Sequence, residues 1–307
     1  MDQPVFSIII PTFNSGKTIR RAIESVLTQT FSRFELLLID GLSTDQTVEI
    51  LQSFAAQEER IHFVSEKDAG IFDAMNKGIR QAAGDWIYFM GSDDRLHSTY
   101  VLERIFEETE KGHYKLIYGH IISEKYGLYG GPVNAGDIIK KNISHQAMFF
   151  NKSLFREYGF YNLEYKTHAD WEFNLRCFRK DGLEMKYIDL AIANYASGGA
   201  SSVHEVNFFR RILLPERLRQ LDIENQTGIK SVSWFDEWWR FIRNAKIKTE
   251  EEIIPFTLHG EINPTIRLII RAQKNLSKKI LINGVSSKFF MALTYLRYLF
   301  FRLPNKI

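Results

Sequence analysis

Through the first hundred residues, short apolar runs alternate with amphipathic stretches. The runs are Phe6-Ser-Ile-Ile-Ile10, Phe34-Glu-Leu-Leu-Leu-Ile39, Ile61-His-Phe-Val64 and Trp86-Ile-Tyr-Phe-Met90. Each has the length of a strand and is too short for a helix. The stretches between them predict helices over about 17–29, 45–57 and 71–83. Asn14 or Ser15 can cap the first, and Gly84 suits the C′ position of the third. A strand with one wet face would alternate apolar and polar residues. These runs do not, so both of their faces are covered, the habit of parallel sheets. Strand and helix in succession therefore predict an α/β fold with a mainly parallel central sheet.

The pattern then changes. Residues 97–200 mix helices with strands such as Lys115–Ile122 and Gln146–Phe150, a second part built against the same sheet. Beyond Ser201 it becomes helical, over Val203–Leu221 and over Val232–Ile247 with Trp234, Trp238 and Trp239. This predicts a main domain over 1–204, its halves meeting near residue 96, and a helical extension over 205–307. No internal repeat or low-complexity segment interrupts it.

Composition narrows the classes. A chain of 307 residues with 45% hydrophobic content can bury a large core. Its single cysteine, Cys177, excludes an internal disulfide framework and suits a reducing compartment. The N-terminus lacks the basic and apolar regions of a secretory signal, so the cytoplasm is expected. From Arg240 to Ile307 there are 13 Lys/Arg against 4 Asp/Glu, a balance of +9. With the whole chain at +3, the first 239 residues carry −6. An acidic body argues against nucleic acid as a partner, and a basic tail suggests an anionic surface. The tail's apolar aromatic run, Phe289–Phe301, is 13 residues long, short of the ~20 that span a bilayer. Flanked by Lys288, Arg297, Arg302 and Lys306, it suits a helix in the membrane interface. A helix docked on the domain would show the same pattern.

Candidate chemistry sits after the strands. Pro11–Asn14, Asp40–Asp45, Glu66–Gly78 and Gly91–Asp94 each follow one of the four runs, so all four can converge on one crevice at the strands' carboxyl ends. Asp93 and Asp94 are adjacent carboxylates that repel unless a cation or hydrogen bonds offset them. A divalent ion shared with a diphosphate would do so, as would a solvated turn. Gly198 and Gly199, in Gly198-Gly-Ala-Ser-Ser202, could fold over a diphosphate. His145 and His204 could reach a metal or a phosphate, or serve as ordinary loop residues. His97, His113 and His120 read as structural.

Together these segments resemble the family 2 glycosyltransferases of the GT-A fold, most closely the bacterial polysaccharide-assembly branch. The resemblance rests on Ser7-Ile-Ile-Ile-Pro-Thr-Phe-Asn14, Ile39–Thr47, Asp68–Gly78 and Phe89-Met-Gly-Ser-Asp-Asp94. It continues through His145-Gln-Ala-Met-Phe149, Ala169-Asp-Trp-Glu-Phe173 and Gly198–Ser202. It implies a nucleotide-sugar donor (a UDP-sugar most of all), a divalent metal, Mg2+ or Mn2+, and inversion at the anomeric carbon. It implies that Thr12 and Asp40 contact the donor's base with Asp68 nearby, that Asp93 holds the metal, and that Asp94 holds the ribose or supports the metal's shell. His204 would be a further metal ligand, and His145 and Gln146 would meet acceptor or phosphate. Asp170 matches the family's catalytic base, the group that takes the proton of an attacking hydroxyl. At Gly91 this chain departs from the pattern, because the family often has the first Asp of its Asp-X-Asp motif there. The reading is an enzyme on the inner face of the cell membrane, peripheral through its tail, with a saccharide acceptor that is lipid-linked. The alternatives are a sugar nucleotidyltransferase, which would need a glycine-rich basic loop that Pro11–Lys17 does not provide, or a non-catalytic nucleotide-sugar-binding module.

Overall fold

The structure, a computed structural model, describes residues 3–179, 182–196, 205–218, 232–256 and seven positions between 262 and 273. The chain divides into two compact units, Met1–Val203 and His204–Ile307.

The first unit is built on β1 (Phe6–Thr12), β2 (Phe34–Asp40), β3 (Ile61–Ser65) and β4 (Trp86–Phe89), all parallel. Every residue of β1, β2 and β4 is buried, which explains why their sequences run apolar without alternation. Alternate residues of β1 serve opposite layers. Ile8 and Ile10 pack with Ile19, Ala22, Ile23 and Val26 of α1 (Ile19–Leu27). Burying each Ile or Val there contributes roughly 1.5–3 kcal/mol. Ile9 instead meets α3 (Ile71–Gln81), close enough that a Cβ at Gly78 would stand 2.5 Å from its Cγ2. Pro11 lies beyond the last β1–β4 pair, Ile9–Phe89, so its missing N–H leaves no gap on that side. Between β2 and β3 runs α2 (Thr47–Ala55).

Two local expectations are revised. Helix α1 begins at Ile19, because Ser15 closes a preceding turn by accepting the N–H groups of Thr18 and Ile19 at 2.9 Å. Gly84 is required for close approach rather than for a helix cap. A Cβ there would lie 2.8 Å from the backbone of Phe6 and Ser7, while its N–H donates to Ser7 Oγ at 2.9 Å. Glu35, buried in the middle of the sheet, accepts from Ser7 Oγ at 2.5 Å and from Ala83 N at 2.6 Å, which satisfies its charge.

The same sheet continues past β4, and there it becomes mixed. The remaining strands are β5 (Arg95–Leu96), β6 (Leu116–Ser123), β7 (Gly127–Gly130), β8 (Met148–Asn151) and β9 (Met185–Tyr195). Among the described residues the order is β3-β2-β1-β4-β8-β6-β9-β5, with β7 on β6. Strand β8 runs antiparallel to both β4 and β6, and β9 is parallel to β6. The helices of this half are α4 (Val101–Thr109), α5 (Ala135–Ile138), α6 (Ser153–Tyr158) and α7 (Ala169–Phe178). Tyr88 of β4 and Phe149 of β8 stack with centroids 4.4 Å apart, fixing the junction between the two halves.

In the second unit, α8 (Val206–Phe208) passes into a π-helical turn over Phe209–Leu213 and stays helical to residue 218, and α9 spans Val232–Asn244. Trp238, Trp239 and Ile242 of α9 are buried, as are Phe208, Leu213 and Leu214. Arg210 donates to the carbonyls of Ala245 and Lys246 at 2.6 and 2.7 Å and pairs with Glu252.

Candidate active site

The loops that leave β1, β2 and β4 are laced together at the carboxyl edge of the sheet. Asn14, at φ 49°, donates its N–H to Ser43 Oγ at 2.7 Å and accepts from Thr44 N at 2.9 Å. Ser15 N donates to Thr47 Oγ1, and Ser15 Oγ bonds Ser92 Oγ, both at 2.7 Å. Asp40 is fully buried at the end of β2, where Ser43 Oγ, Ser65 Oγ and Ser43 N donate to it at 2.5, 2.6 and 3.0 Å. Thr12 Oγ1 lies 3.4 Å from the same carboxylate. Asp68 leans over Gly41, where a Cβ would stand 2.5 Å from its Oδ2, and its Oδ1 accepts from Gly70 N at 2.9 Å. Such lacing ties the three loops to one another through their own side chains.

At the end of β4 the two neighbouring carboxylates have different fates. Asp94 is 1% exposed. Its Oδ1 accepts from Ala196 N and its Oδ2 from Gln146 Nε2, each at 2.9 Å, with Gly91 N at 3.2 Å. Burial pushes the Asp94 carboxyl up from its usual range. Asp93 beside it adds to the rise, against the pull of the Ala196 N–H, the Gln146 amide and His145. Asp93 is only half-buried, and its carboxylate takes no hydrogen bond from a described residue. Its backbone carbonyl accepts from Arg21 Nη2 at 2.9 Å.

That difference bears on a metal. Among the described residues no three His, Cys, Asp or Glu side chains come together around one point. A hard ion such as Mg2+ is content with one or two protein carboxylates when substrate phosphates and water complete its shell. Asp93 has the chemistry for this role.

Across the crevice, Asp170 occupies the first turn of α7. Its Oδ1 accepts from Trp171 N at 2.8 Å. Its Oδ2 accepts from Asn142 Nδ2 and from His145 Nδ1, each at 3.2 Å. It lines a cavity of about 450 Å³ with Tyr126, Tyr129, Lys141, His145, Trp171 and others. The cavity wall is made by the β6–β7 hairpin, the segment before β8 and α7. Trp171 is fixed by donating Nε1–H to the Ile138 carbonyl at 2.6 Å. The site thus has a laced set of loops, a half-buried carboxylate on one of them, and a second carboxylate lining a cavity.

The sequence over residues 7–173, more than half of the chain, matches the family model described as glycosyl transferase family 2. The chain belongs to that family. A PGL/p-HBAD biosynthesis glycosyltransferase of Mycobacterium bovis (strain BCG / Pasteur 1173P2) is 37% identical over 226 residues, spanning 71% of this chain and 88% of its own length. An uncharacterized glycosyltransferase of Mycobacterium tuberculosis is 34% identical over 184 residues, 56% of this chain and 68% of its own. Among solved structures, S. aureus TarS 1-349 in complex with UDP-GlcNAc shares the fold with a TM-score of 0.62 at 18% identity, over 89% of this chain and 91% of TarS 1-349. The mannosyltransferase PcManGT from Pyrobaculum calidifontis in complex with GDP-Man and Mn2+ has a TM-score of 0.51 at 12% identity, over 98% and 88%. At those identities the two structures speak for the GT-A fold alone. The chain is a glycosyltransferase.

Within this family 2 enzyme, Thr12, Asp40, Asp68, Asp93 and Asp94 all lie at the carboxyl edge of the parallel strands. His145 lies beside Asp170, and Gln146 beside Asp94, its side-chain Oε1 accepting from Ser144 Oγ. Gly198, Gly199, His204 and the tail from about residue 276 lie outside the described residues. No described helix is long and apolar enough to cross a membrane. Sequence reasoning passed over Phe13 and Leu42, large apolar side chains 62% and 50% exposed on the first two loops, Leu42 at φ 63°. An apolar residue just outside a buried run was the available signal. It also passed over Asn142, Tyr126, Tyr129 and Lys141, which carry no motif.

Proposed function

We propose that the enzyme transfers a sugar, with inversion, from a UDP-sugar to a hydroxyl of a saccharide acceptor that is lipid-linked. The observation that supports this most is the separation of the two carboxylate centres. One is the Asp93–Asp94 pair at the end of β4, and the other is Asp170 on a cavity large enough for a sugar. Direct displacement needs this division, with a base on the acceptor's side and charge stabilisation on the leaving group's side.

In this mechanism the donor lies along the laced loops, with Thr12, Asp40 and Asp68 nearest its nucleoside end and the exposed ring of Phe13 offering an apolar face to the base. Asp93 would hold a divalent ion and Asp94 would support it; when bound, the ion offsets the charge gathering on the departing diphosphate. The acceptor hydroxyl enters the cavity and gives its proton to Asp170 as its oxygen attacks the anomeric carbon. The bond from that carbon to the diphosphate oxygen breaks, and the nucleoside diphosphate leaves. Tyr126, Tyr129 and Trp171 offer aromatic faces to sugar rings, and Lys141, its ammonium 3.8 Å from the centre of the Tyr129 ring, suits an acidic or phosphorylated acceptor. The lipid-linked assignment also draws on the +9 balance from Arg240 onward.

A thermal-shift screen of UDP- and GDP-sugars with Mg2+ or Mn2+ identifies the donor, and nucleoside diphosphate release then measures turnover. Asp93→Ala and Asp170→Asn should each remove turnover while keeping the parent's melting profile. Near-normal turnover by either variant, or release of pyrophosphate from a nucleoside triphosphate, would overturn the assignment.

A further inference from the structure

Two adjacent residues on one short turn hold the two carboxylate centres. The 3-10 turn His145–Ala147 leads directly into β8. His145 reaches forward, its Nδ1–H donating to Asp170 Oδ2 at 3.2 Å. Gln146 reaches back, its Nε2–H donating to Asp94 Oδ2 at 2.9 Å. The turn itself has little freedom. Gln146's carbonyl accepts the Tyr88 hydroxyl at 3.0 Å, and Ala147 N donates to Ser144 O at 2.9 Å. Gln146 is 5% exposed. The side chains of His145 and Asp170 are each 14% exposed, so water competes little for their contact. His145 Nε2 is buried with no hydrogen-bond partner among the described residues. Nδ1 therefore provides the ring's one polar contact, and that contact is to the base.

We propose that His145 is a positioning residue, and that the His145–Gln146 turn fixes the distance between Asp170 and the Asp93–Asp94 end of the crevice. This rests on the reading of Asp170 as the base and of the pair as the diphosphate end. The physical need is plain. In an in-line displacement the base and the leaving group stand on opposite sides of one carbon, and neither centre can adjust once the substrates are bound. Asp170 lies on the first turn of α7 and Asp94 at the end of β4, elements without a direct hydrogen bond between these two side chains. The turn is what both of them hold. His145 does not carry the acceptor's proton, because its Nδ1 already donates and its Nε2 is sealed from solvent.

Two substitutions separate positioning from proton transfer. Asn at 145 can place an amide N–H near the position of Nδ1, whereas Ala cannot. His145→Ala should lower kcat about 10- to 100-fold with donor KM little changed, the scale expected when a reacting group is misplaced by about 1 Å. His145→Asn should recover most of that loss. Unchanged kcat in His145→Ala would overturn the proposal, as would His145→Asn failing as badly as His145→Ala. A second measurement needs no turnover. In protein labelled with 15N-histidine, the ring signal that disappears in His145→Asn identifies residue 145. That signal should show a protonated Nδ1 and should move in Asp170→Asn. A signal indifferent to Asp170→Asn would overturn the proposal whatever the donor proves to be. Absence of turnover with every sugar nucleotide would instead count against the proposed function.

Discussion

Replacing Gly91 with alanine tests how firmly the carboxylate pair is held. The new Cβ would stand 2.5 Å from Asp94 Oδ2 and 2.9 Å from Asp93 Oδ1, where ordinary contact begins at 3.4 Å. Something must therefore yield by roughly half to nine-tenths of an ångström. Asp94 cannot swing aside, because its carboxylate is held by Ala196 N and Gln146 Nε2 and is 1% exposed. Nor can the backbone turn easily, since Asp94 N already donates to Gly91 O at 3.1 Å. Forcing a methyl into such packing costs about 1–3 kcal/mol. If relief comes by breaking one of the Asp94 bonds, an unsatisfied buried acceptor adds about 1–3 kcal/mol. Gly91→Ala should thus melt several degrees lower, at roughly 2–4 °C per kcal/mol for a unit of this size. Displacing Asp93 by a good part of an ångström should lower turnover by about 10- to 100-fold. Differential scanning fluorimetry and nucleoside diphosphate release measure the two effects. Gly91→Asp, which brings in the carboxylate the family often carries there, adds the same Cβ and should do no better. A Gly91→Ala enzyme with the parent's melting temperature and turnover would refute the reasoning, because the pair would then be free to move.

Phe13→Ala should raise the donor's KM about 5- to 150-fold with kcat nearly kept, the range for losing one base–aromatic stack of about 1–3 kcal/mol; an unchanged KM would place the base elsewhere. Burial raises the carboxyl pKa of Asp94 in the fold above its unfolded value, so this group favours the fold most at low pH and its contribution fades as pH rises through the raised value. Asp94→Asn removes that dependence, so its melting temperature relative to the parent should improve steadily from acid to neutral pH. Tyr161 has a buried hydroxyl without a partner among phenylalanines 72, 89, 155 and 173. Tyr161→Phe should therefore cost nothing and gain up to about 1 kcal/mol in denaturant melts. Cys177, the only cysteine, is 2% exposed with its thiol pushed up to about 12 by burial. An aromatic disulfide reagent at pH 8 should label it only at the rate of unfolding; fast labelling of the native enzyme would show that α7 opens locally.

The half of the fold that could be read from sequence is the half with covered strands. Ile8–Ile10 and Leu36–Ile39 lie under helices on both faces, so burial alone writes their pattern. Strand β9 has no such signature. Its eleven residues, Met185–Tyr195, are mostly half-buried, and it breaks register with β6 around His120, where Gly119 passes against the Leu190 carbonyl. Two-residue β5 is too short to leave a period. The site divides in the same way. Asp93, Asp94 and Asp170 stand in motifs, but what separates the surroundings of the first two includes Ala196 just past β9, a residue 102 positions from Asp94. Tyr126, Tyr129 and Lys141 reach the cavity because β7 folds back on β6, and a pairing partner is a property of the sheet rather than of local sequence.

The topology also explains why both centres sit at one strand end. Strand β4 is the last member of the parallel set, and its other neighbour, β8, runs the opposite way. The carboxyl end of β4 therefore lies beside the amino end of β8. The register pairs Trp86 with Asn151 and Tyr88 with Phe149. Carried forward by three residues, it sets Gly91 beside Gln146, and that is where the Gln146 amide meets the carboxylate of Asp94. Had β8 been parallel, the turn that precedes it would lie at the far edge of the sheet, and His145 could not approach both α7 and the donor loops. The reversal of one strand brings the turn before β8 to the carboxyl edge of the parallel strands. The enzyme's two halves are thus joined by a pairing register, and residues on either side of that junction should show coupled rather than additive losses in double substitutions such as Gly91→Ala with Gln146→Ala, which both act on Asp94 Oδ2.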